Sequence, residues 1–415
     1  VGGFPLFYPL LSATFFSIYG ILATRFLNVI LGTVSVFLIY YFTNQLQLFQ
    51  NLQQNKTAGL VAAAFLSTST IPIVFSRLAI YDALSFSLFL GGLVILVKAV
   101  FTGEKHFYLA TAIILFLSFL AKYIVAIFFP ILLLIPLYLA LKTKNSEKIY
   151  GILKYFWLPL LFLMVVYFSL NFSNLLEFIF SQTTGERSSI ATIFENFWKY
   201  SSIPYFLSFI SLGGIFFLLR EKRVLIFVSL LLLSFVPLIV HFLTGNALSV
   251  HQHSFLSLIF ILPVVGSFFG LIIKRFTVVG ILITLIIVLF NYFDSVPKVK
   301  ELEGFWPNTT KAIEILKSKV DQEDKILAEA GDVITLALYD RLKPENITGP
   351  FVFSYQNQEE LAAYLQAINN GYFNFVELDG TSFLQEQIEE IKKSLGEKYS
   401  LIFDDGKIRI WQLKS

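Results

Sequence analysis

Phe75-Ser-Arg-Leu-Ala-Ile-Tyr-Asp-Ala-Leu84 lies between two long apolar runs, and it sets Arg77 and Asp82 at the mouth of a membrane-sized helix. Charge beside hydrocarbon is costly to keep and reads by default as a functional-site hypothesis. The rest of the composition agrees with a lipid setting. The chain has 415 residues, 56% hydrophobic and 14% charged, where a soluble domain carries about 25% charged residues. Its mean hydropathy is +0.73. A net charge of +3 without a dense basic run argues against nucleic acid as a partner. The absence of cysteine removes disulfides, thiol catalysis and Cys-ligated metal. The 47 Phe and 19 Tyr suit lipid-facing surface and interfacial belts.

Working outward with a window of roughly 20 apolar residues gives about ten transmembrane helices. They are expected at Leu22–Thr43, Thr57–Phe75, Ala83–Phe101, Phe107–Ala121, Ile124–Leu141, Leu153–Leu170, Ser202–Leu219, Val224–Phe242, Ser254–Ile273 and Thr277–Phe293. Lys and Arg gather in alternate loops, at Lys56, Lys105, Lys142, Lys144, Lys148, Arg220, Lys222, Arg223, Lys274 and Arg275. Those loops are expected to face the cytoplasm. Arg77, Asp82, Lys122, His251 and His253, the Asn171–Ser201 segment and everything after Asp294 then face outward. Val1–Gly20 is apolar but carries Pro5 and Pro9, which reads as an interfacial helix and not a span.

Composition changes after Asp294-Ser-Val-Pro297. Residues 1–296 form the expected membrane domain and 297–415 an extracytoplasmic α/β domain. In the latter, strands are expected near Lys325–Ala330, Ile347–Phe353 and Phe373–Leu378. Helices are expected at Thr309–Val320, Asp332–Tyr339, Gln358–Ile368 and Phe383–Leu395. A closing hairpin is expected around Asp404-Asp405-Gly406. Alternation of this kind predicts a small α/β sandwich with a partly parallel sheet. The predicted fold class is an all-α polytopic membrane bundle followed by this soluble domain.

Several residues can carry chemistry. Asp82 reads either as the N-cap of the helix that follows or as a carboxylate serving an acceptor, a metal or a general base. Arg77 reads as a snorkelling cation or as a phosphate ligand, and Lys122, interrupting an apolar stretch, as an interfacial anchor or a point charge for phosphate. His251 and His253, spaced i, i+2, fall on different helical faces. That weakens zinc ligation and leaves His253 as a hydrogen-bonding or phosphate-contacting group. Arg25 is an anchor or a member of the site. Glu186-Arg187 reads as a solvated pair. Gly331-Asp332 is neither a GxGxxG nor a P-loop.

In their order, Phe4-Pro-Leu-Phe-Tyr-Pro-Leu-Leu11, Ala23-Thr-Arg25, Ser76-Arg-Leu-Ala-Ile-Tyr-Asp82, Leu120-Ala-Lys-Tyr123 and the His253 helix with Pro263 resemble the GT-C glycosyltransferases. Within them the pattern is similar to protein O-mannosyltransferases and lipid A aminoarabinose transferases. The resemblance covers most of residues 1–293. It implies transfer of a sugar from a polyprenyl-phosphate carrier to a lipid, glycan or protein acceptor on the outer face. Asp82 would match the family's second acidic site residue, and Lys122 and His253 its later basic positions. Arg77, Tyr81 and Arg25 would complete the phosphate and sugar contacts. The only cofactor that it implies is a possible divalent metal, with no ligand set assigned. The family's principal catalytic Asp precedes the Phe4–Leu11 stretch, so a segment ahead of Val1 is expected. The rival readings are a polytopic transporter or lipid flippase, for which midplane sites and repeat symmetry are the signature, and a membrane-anchored sensor.

Overall fold

The computed structural model describes residues 6–142, 146–183, 187–218, 224–247, 249–304, 307–350, 353–381, 383, 385–396 and 398–414. Phe4, Pro5, Lys144, Glu186, Arg220, Lys222 and Arg223 lie outside them. Two compact units divide at Lys300 and Glu301.

The first unit is a helical bundle. Its elements are α1 (Phe7–Gln45), α2 (Leu52–Thr68), α3 (Thr70–Arg77), α4 (Asp82–Thr102), α5 (Lys105–Ala121), α6 (Phe129–Lys142) and α7 (Ser146–Ile152). Then come α8 (Leu158–Thr183), α9 (Ile190–Leu218), α10 (Val224–Ser234), α11 (Val236–Thr244), α12 (Val250–Arg275) and α13 (Thr277–Glu303). Six described helices are long and apolar enough to cross a membrane, seven if the bent pair α2–α3 counts as one span. The chain is an integral membrane protein.

The count differs from about ten because several apolar runs are broken or short. The run expected as one span at Thr57–Phe75 bends by 63° at Ser69 between α2 and α3. The break is satisfied internally. The Ser69 hydroxyl donates to Phe65 O at 2.7 Å, and Asn291 Nδ2 of α13 donates to the Thr68 hydroxyl at 2.9 Å. Such side chains let a helix break in a medium without water. α5 has 17 residues, and a 3₁₀ segment at Tyr123–Phe128 separates it from α6. The Asn171–Ser201 segment, expected as an outer loop, is largely helical. α8 runs on to Thr183 and α9 starts at Ile190, with a kink at Asn171. Pro297 likewise fails to stop α13, whose Lys298 pairs with Asp294 at 2.5 Å and whose Val299 and Leu302 are buried.

α1 contains a turning point of its own. Tyr19 and Gly20 leave helical geometry, with Gly20 at φ +61°. That region is open to glycine without a steric penalty. The piece before it brings Tyr8 onto Leu84 and Ala121. α12 is the most deeply buried of the membrane-length helices. A Cβ at Gly266 would strike the Ala58 carbonyl of α2, and one at Gly270 would lie 3.3 Å from the Ala58 nitrogen. Small residues four apart permit this close helix contact where lipid offers no hydrophobic drive. Near the other end of α12, Phe255 stacks on Phe86 of α4 with ring centres 3.8 Å apart.

The second unit contains α14 (Thr310–Lys319), β1 (Ile326–Ala328), α15 (Gly331–Ala337), β2 (Ile347–Thr348), β3 (Ser354–Tyr355), β4 (Gln358–Glu359) and α16 (Glu360–Asn369). It closes with β5 (Phe375–Leu378), α17 (Gln385–Leu395), β6 (Tyr399–Asp404) and β7 (Arg409–Leu413). The main sheet runs β2-β1-β5-β7-β6. β2, β1 and β5 are parallel, and β7 and β6 close it antiparallel around the Asp404-Asp405-Gly406 turn. Leu327, Val376 and Leu378 pack with α16 and α17 on one face. Ile326, Ala328 and Phe375 pack with α14 and α15 on the other. Burial on both faces explains why β5 reads as a nearly continuous apolar run.

Candidate functional site

The turn between α3 and α4 is pinned from α1. Asn28, fully buried, donates from Nδ2 to Leu78 O at 2.5 Å and to Ile80 O at 2.7 Å. This fixes the backbone that delivers Tyr81 and Asp82. The Asp82 carboxylate does not cap α4; it occupies the helix's first position and makes no hydrogen bond to the helix end. It pairs instead with Lys122 Nζ. Lys122 ends α5 in extended geometry, at φ −158° and ψ 116°, which breaks the apolar run there. Asp82 is 4% and Lys122 7% exposed. Lys122 also donates to Gln252 Oε1 at 3.4 Å and stands 5.3 Å from the centre of the Tyr81 ring. A buried charge removed from water needs such partners.

Gln252 belongs to the first turn of α12 with His251 and His253. His253 Nδ1 lies 2.7 Å from His241 Nε2, and His241 Nδ1 lies 2.6 Å from Asn246 O. A carbonyl only accepts, so His241 Nδ1 carries a proton. With both rings neutral, His241 Nε2 is an acceptor, His253 Nδ1 donates to it, and His253 Nε2 keeps its lone pair. The turn after His241 rests on Gly245, at φ +70°, where a Cβ would approach Arg187 Cγ to 2.9 Å. His251 packs on the Tyr200 ring of α9, 5.8 Å between centres. Lys122 is an electrostatic neighbour of all three histidines.

Of the residues singled out from sequence, Asp82, Tyr81, Lys122 and His253 therefore meet at one end of α4, α5 and α12. Arg77, in the last turn of α3, and Arg25, on α1, are exposed and take no part in these hydrogen bonds. Tyr8, Asn28, His241 and Gln252 were not foreseen. The signal for three of them was present: an Asn, a Gln or a His in an otherwise apolar run is expensive unless it has a task. Tyr8 carried no such signal. Its hydroxyl and Asn28 Oδ1 are both buried, and neither has a hydrogen-bond partner among the described residues.

Beside this cluster a cleft of about 160 Å³ lies among α1, α2, α3, α4 and α12, with Val29, Val36, Leu66, Ile73, Ala83 and Phe255 among its walls.

No protein-family model and no curated protein matches the sequence. Solved structures do. The chain is similar to ArnT from Cupriavidus metallidurans in the apo state, with TM-score 0.62 and 10% identity over 98% of this chain and 87% of that one. The same protein bound to undecaprenyl phosphate gives TM-score 0.59 at 10% identity, with the same coverage. The Archaeoglobus fulgidus oligosaccharyltransferase in complex with Zn and sulfate gives 0.56 at 12% identity, covering 99% of this chain and 64% of that one. The likeness to these proteins is one of fold. Within the bundle the divalent metal that the resemblance implies finds no matching donor set among the described residues. Among the described residues no group of three or more His, Cys, Asp or Glu side chains is placed to hold an ion. Asp82 is already paired with Lys122, and the His241 Nε2 and His253 Nδ1 atoms that face each other are taken up by their mutual hydrogen bond.

Proposed function

We propose that the chain is a membrane glycosyltransferase that moves a sugar from a polyprenyl-phosphate carrier to an acceptor hydroxyl at the outer face. The observation that carries this reading is the convergence of Asp82, Lys122, Gln252 and His253 from three helices beside an apolar cleft. A short part of an isoprenoid tail suits such a cleft, while a phosphate suits a cation such as Lys122.

The residues divide the work as follows. Lys122, released from Asp82, steadies the phosphate oxygens as negative charge builds on the leaving group. Arg77 and Arg25, both exposed, are suited to meeting the phosphate from the solvent side. The acceptor oxygen forms its bond to the anomeric carbon as the bond from that carbon to the phosphate oxygen breaks. The acceptor's proton passes to the Asp82 carboxylate, and attack opposite the leaving group inverts the anomeric centre. His253 Nε2 supplies a second acceptor for orienting the hydroxyl. The N-terminal piece of α1 lies at the interface, and residues 297–415 form the extracytoplasmic domain.

The test is release of polyprenyl phosphate from a panel of polyprenyl-phosphate sugars by the full chain in lipid vesicles, with hydroxyl-bearing lipid, glycan and peptide acceptors supplied. Asp82→Asn is expected to abolish release while expression and folding persist. Turnover at the parent rate would remove Asp82 from the site, and no release from any donor would remove the transferase reading.

A further inference from the structure

The second unit holds a cavity of about 580 Å³. This falls in the range of sites that take small ligands, about 300–1,000 Å³. One wall is aromatic. Phe353 stacks on Tyr364 with ring centres 5.0 Å apart and planes 24° apart, and Phe383 meets Tyr364 edge-on at 5.3 Å. The Tyr364 hydroxyl donates to Gly349 O at 2.8 Å, so the wall cannot easily rotate. The lining also holds acceptors. Glu359 ends β4, Glu360 begins α16, and Gln387 joins the lining from α17.

Two features of this exposed rim bear on a ligand. Glu359, Glu360 and Gln387 lie on the cavity, and neither carboxylate has a hydrogen-bond or ion-pair partner among the described residues. Glu360 also holds φ at +51°, a costly conformation for a residue with a Cβ. The β3–β4 turn that carries the rim is braced. Gln356 Oε1 accepts from Gln366 Nε2 at 2.9 Å and from Asn370 Nδ2 at 3.4 Å.

A ligand for this cavity must offer an apolar face to the rings and several donors to the acceptors. Two unpaired carboxylates repel phosphates and other anions. A pyranose satisfies both demands: its axial C–H bonds form one apolar face, and its hydroxyls donate from the edge to carboxylate and amide oxygens. We propose that this cavity is a binding site for a neutral oligosaccharide, separate from the Asp82 cluster. This goes beyond sugar transfer, because binding here requires no reaction at Asp82.

The experiment is saturation-transfer NMR on the full chain in lipid nanodiscs, free of sugar-headed detergents. The probes are maltose, cellobiose, mannobiose and diacetylchitobiose at millimolar concentration. At least one is expected to receive saturation at its ring C–H protons. Affinity should fall about tenfold or more in Phe353→Ala and by a smaller factor in the Glu359→Gln/Glu360→Gln pair, whose surface changes leave the core packing intact. Asp82→Asn should bind as the parent does. Absence of binding by all four saccharides, binding that survives the glutamate pair unchanged, or binding of an oligolysine peptide in their place would each overturn the proposal. Loss of binding in Asp82→Asn alone would place the saccharide in the membrane site and also overturn it.

Discussion

Asp82 and Glu377 are both carboxylic acids buried to a few per cent exposure or less, at 4% and 0%, and the two units keep them by opposite means. In the bundle, Asp82 has a cation against it, with Lys122 bonded in turn to Gln252. In the second unit, Glu377 has no cation. Its Oε2 accepts from the Ala330 amide at 3.0 Å and its Oε1 is unpartnered. Burial, with Asp379 and Glu329 nearby, pushes its carboxyl up to about 8. Asp379 is raised as well, again chiefly by burial. Glu329 stands between these extremes. Its carboxylate accepts from the amides of Asp379, Gly380 and Phe383 at 2.7, 2.7 and 2.9 Å. Burial alone therefore does not mark a reactive acid. Paired charge can be handed to a ligand, whereas a neutral carboxyl or one spent on backbone amides builds the domain.

The comparison can be broken most forcefully at Lys122. Lys122→Met leaves Asp82 buried and unpaired, and unfolding of the full chain in detergent should show a loss of about 3–5 kcal/mol. Adding Asp82→Leu should restore most of it, with no return of activity. A Lys122→Met chain as stable as the parent would mean that Asp82 is not dependent on its cation.

At Glu377 the effect is a slope. The folded carboxyl keeps its proton up to about pH 8, while the unfolded one releases it from roughly pH 4.5. Stability of the second unit is therefore greatest in mild acid and falls as pH rises through this window. The limit is about 1.4 kcal/mol per pH unit. Limited proteolysis within residues 301–415 on heating, at pH 5 and pH 8, measures it. Glu377→Gln should flatten the difference, and a parent equally resistant at both pH values would show that Glu377 is ionised when folded.

The smallest effect is expected at Asn28, a neutral group that serves the charged pair through the backbone. Asn28→Ala leaves Leu78 O and Ile80 O without their donor, at a cost of about 2 kcal/mol. Release of polyprenyl phosphate should fall with it even though Asp82 and Lys122 are intact. Unchanged release would show that the turn holds its shape unaided.

Much of this was open to reading along the chain, and particular residues show why. Apolar runs announce spans because lipid admits little else, so the bundle followed from counting. The α/β alternation after Pro297 announced a layered sheet, and the Asp404-Asp405-Gly406 turn its closing hairpin. Asp82 and Lys122 stood out because charge is rare in such runs. The misjudged points were local contests. Ser69 breaks a span that hydropathy runs straight through, and the helix expected to end at Phe293 runs on through Pro297 to Glu303.

What the sequence determined by itself is that a membrane bundle precedes a sheet domain and that few ionisable groups stand near hydrocarbon. Hydropathy is local and additive, so it survives without coordinates. Only the tertiary structure decided which of those groups meet. Lys122 finds Asp82 across 40 positions and Gln252 across 130, and His253 turns to His241. Those meetings depend on helix crossing and rotation, which small residues such as Gly266 set through close packing, and no linear pattern encodes them.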